Sequence, residues 1–213
     1  RRAIIYNSSP DIGFDRSVNA YRGCEHGCVY CFARPTHAYL NLSPGQDFES
    51  RLFAKPDAPA LLRSEIKNRS YRVAPLALGT NTDPYQPIEG RFQITRQILE
   101  VLEEHGHPVT ITTKSARVCR DIDILSRMAE RGLASVALSI TSMDPSIASQ
   151  IEPRASAPGK RIAAVRTLAG AGVPVTVGVS PIIPAITDHE IEAILGEGAA
   201  AGAKSAFWLL VRL

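Results

Sequence analysis

The sequence predicts an α/β protein built from repeated strand–helix units. Short apolar segments rich in β-branched residues alternate with longer segments whose apolar side chains recur at helical spacing. Most of the longer segments stop at glycine, the residue type that favours helix ends. Strands that alternate with helices imply βαβ units and a parallel sheet. A doubly wound open sheet and a β/α barrel both fit this alternation.

The predicted elements follow in chain order. Six strands are expected: Ser17–Tyr21, Ala74–Thr80, Pro108–Thr113, Ala134–Ile140, Val173–Ser180 and Ala206–Leu213. Apolar stripes predict helices around Leu61–Arg69, Ile94–Leu102, Ile122–Ala129, Ile162–Ala169 and Ile191–Leu195. Thr187 and Glu190 have the spacing of a capping box, so we expect the last helix to begin there. Residues 1–16 are expected to form a leading segment, and residues 36–59 mostly loop.

Composition predicts one globular domain spanning residues 1–213. The chain is 45% hydrophobic and 21% charged, which is enough apolar content for one substantial core. The net charge of +3 comes from scattered basic residues, so it neither requires nor excludes a nucleic-acid partner. No apolar run is long enough to span a bilayer, and the N-terminus lacks the pattern of a signal peptide. The unpaired cysteine cluster favours a cytoplasmic, reducing location.

Three of the four cysteines lie close together, in the pattern C-x3-C-x2-C formed by Cys24, Cys28 and Cys31. Cysteine thiolates hold iron–sulfur clusters, and a cubane cluster normally takes four of them. Cys119 is distant in the chain and falls in a segment predicted as helix. If only three thiolates bind, one iron keeps an open coordination position for a small molecule. The pattern therefore favours a reactive site over an electron relay.

Two other interpretations fit these cysteines. A Cys3His zinc site would use His26 or His37 as the fourth ligand, because structural zinc takes four nitrogen or sulfur ligands. Such a protein would be a zinc-stabilised nucleic-acid binder. A ferredoxin-like electron carrier would instead need a fourth protein ligand for its cluster. Zinc ribbons and fingers usually supply ligands in two separated pairs, and this sequence has no second pair.

Several further motifs show a resemblance to a known family. They are Asn19-Ala20-Tyr21-Arg22-Gly23-Cys24, the cysteine loop with Tyr30 before its last cysteine, Ala33-Arg34-Pro35-Thr36-His37, Gly79-Thr80-Asn81-Thr82-Asp83-Pro84-Tyr85-Gln86 and Thr113-Lys114-Ser115. Together they resemble the radical S-adenosylmethionine (radical SAM) superfamily, in particular a bacterial branch related to spore photoproduct lyase. The resemblance runs along nearly the whole chain.

This resemblance implies the architecture and the chemistry. The fold would be the open (βα)6 partial barrel of radical SAM enzymes, a choice that the periodicity alone leaves open. Cys24, Cys28 and Cys31 would hold a 4Fe–4S cluster whose open iron binds SAM. The reduced cluster of such enzymes cleaves SAM to methionine and a 5′-deoxyadenosyl radical, which abstracts hydrogen from a substrate. An electron donor such as flavodoxin or ferredoxin would reduce the cluster.

Polar residues at the expected strand ends are the candidates for SAM contacts. In the family, the loop after the second strand binds the SAM amine, and here we expect Thr82 and Asp83 to do so. Lys114 stands where relatives place a lysine for the SAM carboxylate, and Ser139 matches a serine that contacts the methionyl or ribose part. Tyr30 resembles an aromatic residue near the adenine. The full set is Tyr30, Gly79, Thr80, Asn81, Thr82, Asp83, Lys114, Ser139 and Pro181, the last in a Pro181–Pro184 loop expected beside the adenine.

The substrate side is less defined, and no catalytic residue is assigned. The candidates are Tyr85, Gln86, Glu89, Glu152, Arg161 and Arg212. Glu152 and Arg161 are expected either to reach SAM or substrate, or to pair at the surface, where an exposed ion pair contributes little. Spore photoproduct lyase uses a cysteine hydrogen donor in the loop after the second strand, where this chain has Asn81 instead. The dimer-repair reaction is therefore not expected, and the substrate, DNA or otherwise, is unassigned. Relatives are expected to continue beyond Leu213 with residues that close the active site.

Overall fold

The computed structural model describes residues 2–10 and 12–212. Within them lie nine strands: β1 (Ile5–Tyr6), β2 (Arg16–Val18), β3 (Tyr21–Arg22), β4 (Phe53–Ala54), β5 (Leu76–Leu78), β6 (Val109–Thr113), β7 (Ala134–Ser139), β8 (Val175–Ile182) and β9 (Ser205–Leu210). The same residues form eight α-helices: α1 (Gln46–Ser50), α2 (Ala58–Ile66), α3 (Glu89–Phe92), α4 (Ile94–Glu104), α5 (Ile122–Glu130), α6 (Pro145–Ile151), α7 (Pro158–Gly170) and α8 (Ile191–Ala200).

Seven strands form one sheet in the order β1-β2-β5-β6-β7-β8-β9. The six strands from β2 to β9 in this order run parallel, and β1 adds to the edge in the antiparallel direction. The apolar side chains of β5 to β8 are buried in the core. In the part of the chain that the structure describes, β1 and β9 are the two ends of an open sheet. The predicted α/β class with six parallel strands is confirmed.

Strand register places side chains together at one edge of this sheet. We call the last residues of the parallel strands, together with the residues that directly follow them, the carboxyl edge. Thr113 of β6 pairs with Leu138 of β7, so the next residues, Lys114 and Ser139, lie side by side. Ser139 in turn pairs with Gly178 of β8, two residues before Ser180. The apolar patterns that define the strands therefore also determine, through the strand register, which polar residues are neighbours at this edge.

The first predicted strand, Ser17–Tyr21, ends earlier than expected. β2 stops at Val18, and the next two backbone carbonyls, of Asn19 and Ala20, bond to Lys55 instead of to β5. The Asn19 side chain bonds to the loop after β5. Tyr21 belongs to β3, which pairs with β4 in a separate two-stranded sheet.

Residues 36–59 are more structured than predicted. They include the end of a 3-10 helix (Arg34–Leu40), then α1 and β4. Their order comes from distant partners, for example the Cys24 amide, which donates to the Phe48 carbonyl at 2.9 Å. The leading segment 1–16 holds β1, although Arg1 and Asp11 lie outside the described residues.

The capping-box prediction was wrong. α8 begins at Ile191, after a 3-10 turn at Asp188–Glu190. The Thr187 hydroxyl accepts the Ile183 amide at 2.9 Å, and the Glu190 carboxylate accepts the Ser142 hydroxyl at 2.6 Å. Because Thr187 bonds to an amide four residues earlier and Glu190 to a hydroxyl far away in the chain, neither makes the reciprocal bonds of the box.

Two strand ends also differ from prediction. β8 continues through Pro181 to Ile182, so Pro181 is part of the strand and not of a following loop. β9 ends at Leu210, and the predicted end at Leu213 lies outside the described residues. Among the described residues, no helix has the length and apolar content needed to cross a membrane.

His107 provides a test of pH-dependent stability outside the carboxyl edge. It is buried, with Nε2 at 2.8 Å from the Tyr71 hydroxyl and Nδ1 at 2.9 Å from the Pro108 carbonyl oxygen. Burial, with a contribution from Arg16, lowers the pKa of His107 below its usual value. The unfolded chain takes up this proton near pH ~6.5 while the folded chain resists it, so stability falls as the pH drops below that value. We expect His107→Gln to lose less stability than the wild type between pH 7.5 and pH 5.5, as measured by urea unfolding.

The control for this prediction is His189→Gln, which changes an exposed histidine in the 3-10 turn before α8. That variant should keep the wild-type loss of stability on acidification. An equal pH slope in His107→Gln and the wild type would contradict the assignment.

Candidate functional site

The cysteine loop, residues 23–33, lies beyond the end of β2 and follows β3 directly. Cys24 and Cys28 are buried and Cys31 is half-buried, and all three are free thiols. Burial raises the pKa of Cys28 to about 12, although the Lys114 charge opposes this. Burial also raises the pKa of Cys24 and of Cys31. Three thiols in a desolvated loop are the soft donors that iron–sulfur clusters use, so this donor set fits a cluster, whose positive irons favour the thiolate form.

Charged and amide side chains hold the loop from outside. Arg34 donates from Nε and Nη2 to the Cys28 carbonyl oxygen, at 3.1 and 2.9 Å, and pairs with Glu49 at 2.5 Å. Arg154 pairs with the same Glu49 and donates to the Glu25 carbonyl oxygen. Gln86 donates to the Gly23 carbonyl oxygen at 3.1 Å. The backbone that carries the thiols is therefore fixed independently of any metal.

The two histidines considered for a Cys3His zinc site have other partners. His37 is buried, its Nε2 is 3.0 Å from the Arg51 carbonyl oxygen and its ring packs on Phe48 at 5.1 Å. His26 is also buried, with Nδ1 3.4 Å from Asp83 Oδ2. Over residues 2–10 and 12–212, no three Cys, His, Asp or Glu side chains converge on one ion position. A cubane has no such requirement, because each thiolate binds a different iron.

The loop after β5 begins with a close approach of two backbones. Gly79 has φ +88°, and a Cβ there would lie 2.0 Å from the Thr112 carbonyl oxygen of β6. Only glycine fits this position without displacing β6. Thr80 and Asn81 bond to Asn19 through side chain and amide, and Thr82 is buried with its hydroxyl on the Tyr21 carbonyl oxygen. The predicted SAM-amine loop is thus tied to the ends of β2 and β6.

Asp83 is nearly buried, and both its carboxylate oxygens are already occupied. Oδ1 accepts the Thr113 hydroxyl at 2.7 Å, and Oδ2 accepts the Lys114 amide at 2.7 Å. Burial would raise the pKa of Asp83, but His26 and these bonds outweigh it and lower the pKa. The carboxylate connects the β5 loop, the β6 end and the cysteine loop. This placement favours backbone carbonyls of residues 79–82 as partners for an amine, and the prediction of direct contact by Asp83 stays untested.

Lys114 lies at the centre of the carboxyl edge. Its Nζ is 2.7 Å from the Ser139 hydroxyl, 3.3 Å from the Thr141 hydroxyl and 2.8 Å from the Ser180 carbonyl oxygen. It also lies over the Tyr30 ring, 5.6 Å from its centroid. The side chain is 16% exposed, so Lys114 is not a solvated surface lysine. Register and loop geometry bring three predicted SAM contacts, Tyr30, Lys114 and Ser139, into one cluster.

A buried charge pair adjoins this cluster. Glu152 Oε1 is 3.0 Å from Lys114 Nζ, and its other oxygen pairs with Arg161. Both Glu152 and Arg161 are almost completely buried, so the alternative of a pair at the surface was wrong: the two side chains pair with each other in the interior. The pair is buried because Glu152 directly follows α6, whose last residue bonds to the cysteine loop. There the Tyr30 and Thr141 hydroxyls also donate to its carboxylate. Burial would raise the pKa of Glu152, but Lys114, Arg161 and these hydroxyls hold it well below the usual range.

The remaining substrate-side candidates are mostly internal. Tyr85 is buried with its hydroxyl on Asp121 at 3.1 Å, and Glu89 is buried and paired with Arg120 at 2.7 Å. Gln86 is buried against the cysteine loop, where it also accepts the Glu25 amide at 2.9 Å. Arg212 is exposed, two residues after β9. These contacts position loops, and the structure assigns none of the four to a substrate.

Three side chains that contribute to the site were not among the predicted site residues. Thr141 donates to Glu152 at 2.6 Å, His26 faces Asp83, and Asn19 links β2 to the loop after β5. His26, considered in the sequence only as a zinc ligand, has the Asp83 carboxylate as its neighbour. Their positions, immediately after strands or inside the cysteine loop, are the sequence feature that could have identified them.

Comparisons with known proteins identify the family. The sequence model of the Radical SAM superfamily matches residues 18–197. An uncharacterized protein of Mycobacterium tuberculosis is 41% identical over 192 residues, covering 89% of this chain and 56% of its own length. An uncharacterized protein of Methanocaldococcus jannaschii is 32% identical over 181 residues, covering 84% of this chain and 64% of its own length. The chain thus spans a little over half the length of these curated relatives.

Solved structures share the fold. A spore photoproduct lyase variant with bound AdoMet and dinucleoside spore photoproduct aligns with a TM-score of 0.70, at 21% identity, over 98% of this chain and 60% of that one. SuiB of Streptococcus suis bound to S-adenosylmethionine aligns with a TM-score of 0.65, at 16% identity, over 92% of this chain and 40% of that one. With a family match over most of its length, a three-cysteine loop and an open parallel sheet, this chain belongs to the radical SAM superfamily.

Proposed function

We propose that this chain is the core of a radical SAM enzyme that holds a 4Fe–4S cluster on Cys24, Cys28 and Cys31. The observation that carries the proposal is the buried three-thiol loop next to the cationic cluster around Lys114. A cytoplasmic location and a flavodoxin- or ferredoxin-type electron donor belong to the same proposal. The substrate is unassigned, and nucleic acid is one candidate class.

The charges beside the loop favour a carboxylate ligand. Lys114 and Arg161 carry two positive charges and Glu152 one negative charge, which leaves one positive charge in a mostly buried cluster. The methionyl carboxylate of SAM would balance that charge through Lys114. A charge-assisted bond of this kind contributes about 1.5–3 kcal/mol.

The other parts of SAM have matching neighbours. Backbone carbonyls in residues 79–82 would accept the SAM amine, and the Ser139 hydroxyl lies beside Lys114 for the methionyl or ribose part. Tyr30 and Pro181 would border the adenine. When bound, the reduced cluster supplies the electron that cleaves SAM to methionine and a 5′-deoxyadenosyl radical, which takes hydrogen from the substrate. The protein's own contribution is to orient SAM and to exclude water from the buried loop.

The test is anaerobic SAM cleavage. The protein is reconstituted with iron and sulfide, reduced with dithionite and given SAM, and 5′-deoxyadenosine is measured. We expect product from the wild type and none above background from Cys28→Ala. Cys119→Ala is the matched control, because this half-buried thiol packs beside the Ala164 carbonyl oxygen on α7 and should not be a ligand. A bound cluster without SAM cleavage would favour the electron-transfer alternative, and zinc without an iron chromophore would refute the proposal.

A further inference from the structure

A cavity of about 350 Å³ opens beside the cysteine loop and adjoins the predicted SAM contacts, because its lining residue His26 lies 3.4 Å from Asp83. Its walls come from the cysteine loop, the loops after β5 and β6, and the segment that begins α7. The lining residues are His26, Tyr85, Pro87, Ser115, Arg117, Arg154, Ala155, Ser156, Ala157 and Lys160. None of them is a predicted SAM contact, and the volume lies at the lower end of the ~300–1,000 Å³ typical of small-molecule sites.

The lining is cationic and contains no carboxylate. Arg117, Arg154 and Lys160 contribute three positive charges. Arg154 is paired with Glu49, which lies outside the cavity wall. Within residues 2–10 and 12–212, no carboxylate lies within ion-pair distance of Arg117 or Lys160. Arg154 is therefore balanced by Glu49, whereas Arg117 and Lys160, both exposed to solvent, have no paired carboxylate in the cavity wall.

The uncharged groups of the lining add hydrogen-bond donors. The Ser115 hydroxyl accepts the Arg117 amide at 3.2 Å, and the Ser156 hydroxyl accepts the Ala116 amide at 2.9 Å. Each hydroxyl has used acceptor capacity on the protein and keeps its proton for another partner. Ser115 is 5% exposed and lines the cavity, so its hydroxyl is placed to donate to a ligand there. The 13-residue helix α7 also begins at this wall. Its first residue, Pro158, has no amide proton and the Lys160 amide donates to the Ala157 carbonyl oxygen at 3.0 Å, so the helix contributes mainly the positive end of its dipole.

Guanidinium, ammonium and hydroxyl donors at the positive end of a helix match a phosphoryl group. We propose that this cavity is a phosphate site that binds a phosphoryl group of the substrate, outside the SAM site. Arg154 connects it to the cysteine loop, since its amide donates to the His26 carbonyl oxygen at 3.1 Å. A ligand anchored here would lie next to the cluster loop. The link to substrate rests on the proposed function, whereas phosphate binding itself does not.

The test compares Arg117→Gln/Lys160→Gln with Arg166→Gln, an exposed arginine on the same helix and outside the cavity. The cluster-loaded proteins are titrated with inorganic phosphate, a nucleoside 5′-monophosphate, the unphosphorylated nucleoside and a single-stranded hexanucleotide. We expect the wild type and Arg166→Gln to bind the phosphorylated probes, and the double variant to bind them at least tenfold more weakly. If the phosphoryl group belongs to a nucleic acid, the affinity for the hexanucleotide should also depend less steeply on salt in the double variant. The slope of log affinity against log salt concentration should be smaller by about 1.4, at ~0.7 per phosphate contact. Binding of only the small phosphates would assign a free phosphate ester.

Three results would overturn the inference. The wild type could bind no phosphorylated probe, or the double variant could bind all of them like the wild type. The double variant could also keep phosphate binding but lose SAM cleavage when reduced flavodoxin replaces dithionite as the reductant. That result would make the cavity a contact for the electron donor. Dithionite-driven SAM cleavage should be equal in all three proteins. If none of the three proteins cleaved SAM but the wild type still bound phosphate, the proposed function would be refuted and the phosphate site would still be supported.

Discussion

Replacing Glu152 by glutamine is expected to destabilise the protein by about 3–5 kcal/mol. The substitution keeps the size of the side chain but removes the only negative charge between Lys114 and Arg161 in this cluster. Arg161 is almost completely buried, so its charge would be left without a partner. Urea unfolding at neutral pH measures the loss directly.

The control for this prediction is Asp123→Asn, which breaks the exposed Arg96–Asp123 pair at 2.9 Å. An exposed pair contributes about 0–1 kcal/mol, so this variant should be nearly as stable as the wild type. A loss in Glu152→Gln no larger than in Asp123→Asn would show that the buried pair is not needed for stability.

The pH dependence of the Glu152 effect has a defined sign. The pKa of Glu152 is lowered in the folded state, so its contribution is complete above the unfolded-state value of about 4.3. That contribution is lost as the pH falls below this value. The difference in stability between the wild type and Glu152→Gln should therefore shrink on acidification, and a difference that grew would contradict the assigned charge state.

The sequence predicted the sheet well because its signals are local. Apolar, β-branched segments such as Val109–Thr113 are strands regardless of their partners, and the strand ends then place Lys114 and Ser139 together through register. The resemblance to radical SAM enzymes supplied the choice of an open barrel, which periodicity could not.

The errors concern side chains whose hydrogen-bond partners are not indicated by the local sequence pattern. Thr187 and Glu190 have capping-box spacing but bond to Ile183 and Ser142, so a short-range rule misread them. The sequence alone suggests that Glu152 is a surface residue, whereas in the fold it follows α6 and accepts a hydrogen bond from Tyr30. α6 itself was missed although Asp144 and Pro145 are typical of a helix start, and the Asp144 carboxylate does accept the Ser146 amide at 2.7 Å.

Lys114→Met is expected to weaken SAM binding about 10- to 100-fold, on the basis of a lost charge-assisted bond of about 1.5–3 kcal/mol. Folding should suffer less than in Glu152→Gln, because Glu152 keeps Arg161 as its partner. The effect should appear in the KM for SAM in the 5′-deoxyadenosine assay, with kcat at saturating SAM much less affected. Lys114→Arg should restore part of the affinity.

The control variant Lys67→Met distinguishes a role of Lys114 in SAM binding from a general effect of removing one positive charge. Lys67 is exposed at the end of α2, so the same substitution there changes the net charge without touching the carboxyl edge. Its KM for SAM should match the wild type. An unchanged KM in Lys114→Met would mean that the SAM carboxylate has another partner, and that Lys114 serves mainly to hold Glu152, Ser139 and the Ser180 carbonyl together at the ends of β6, β7 and β8.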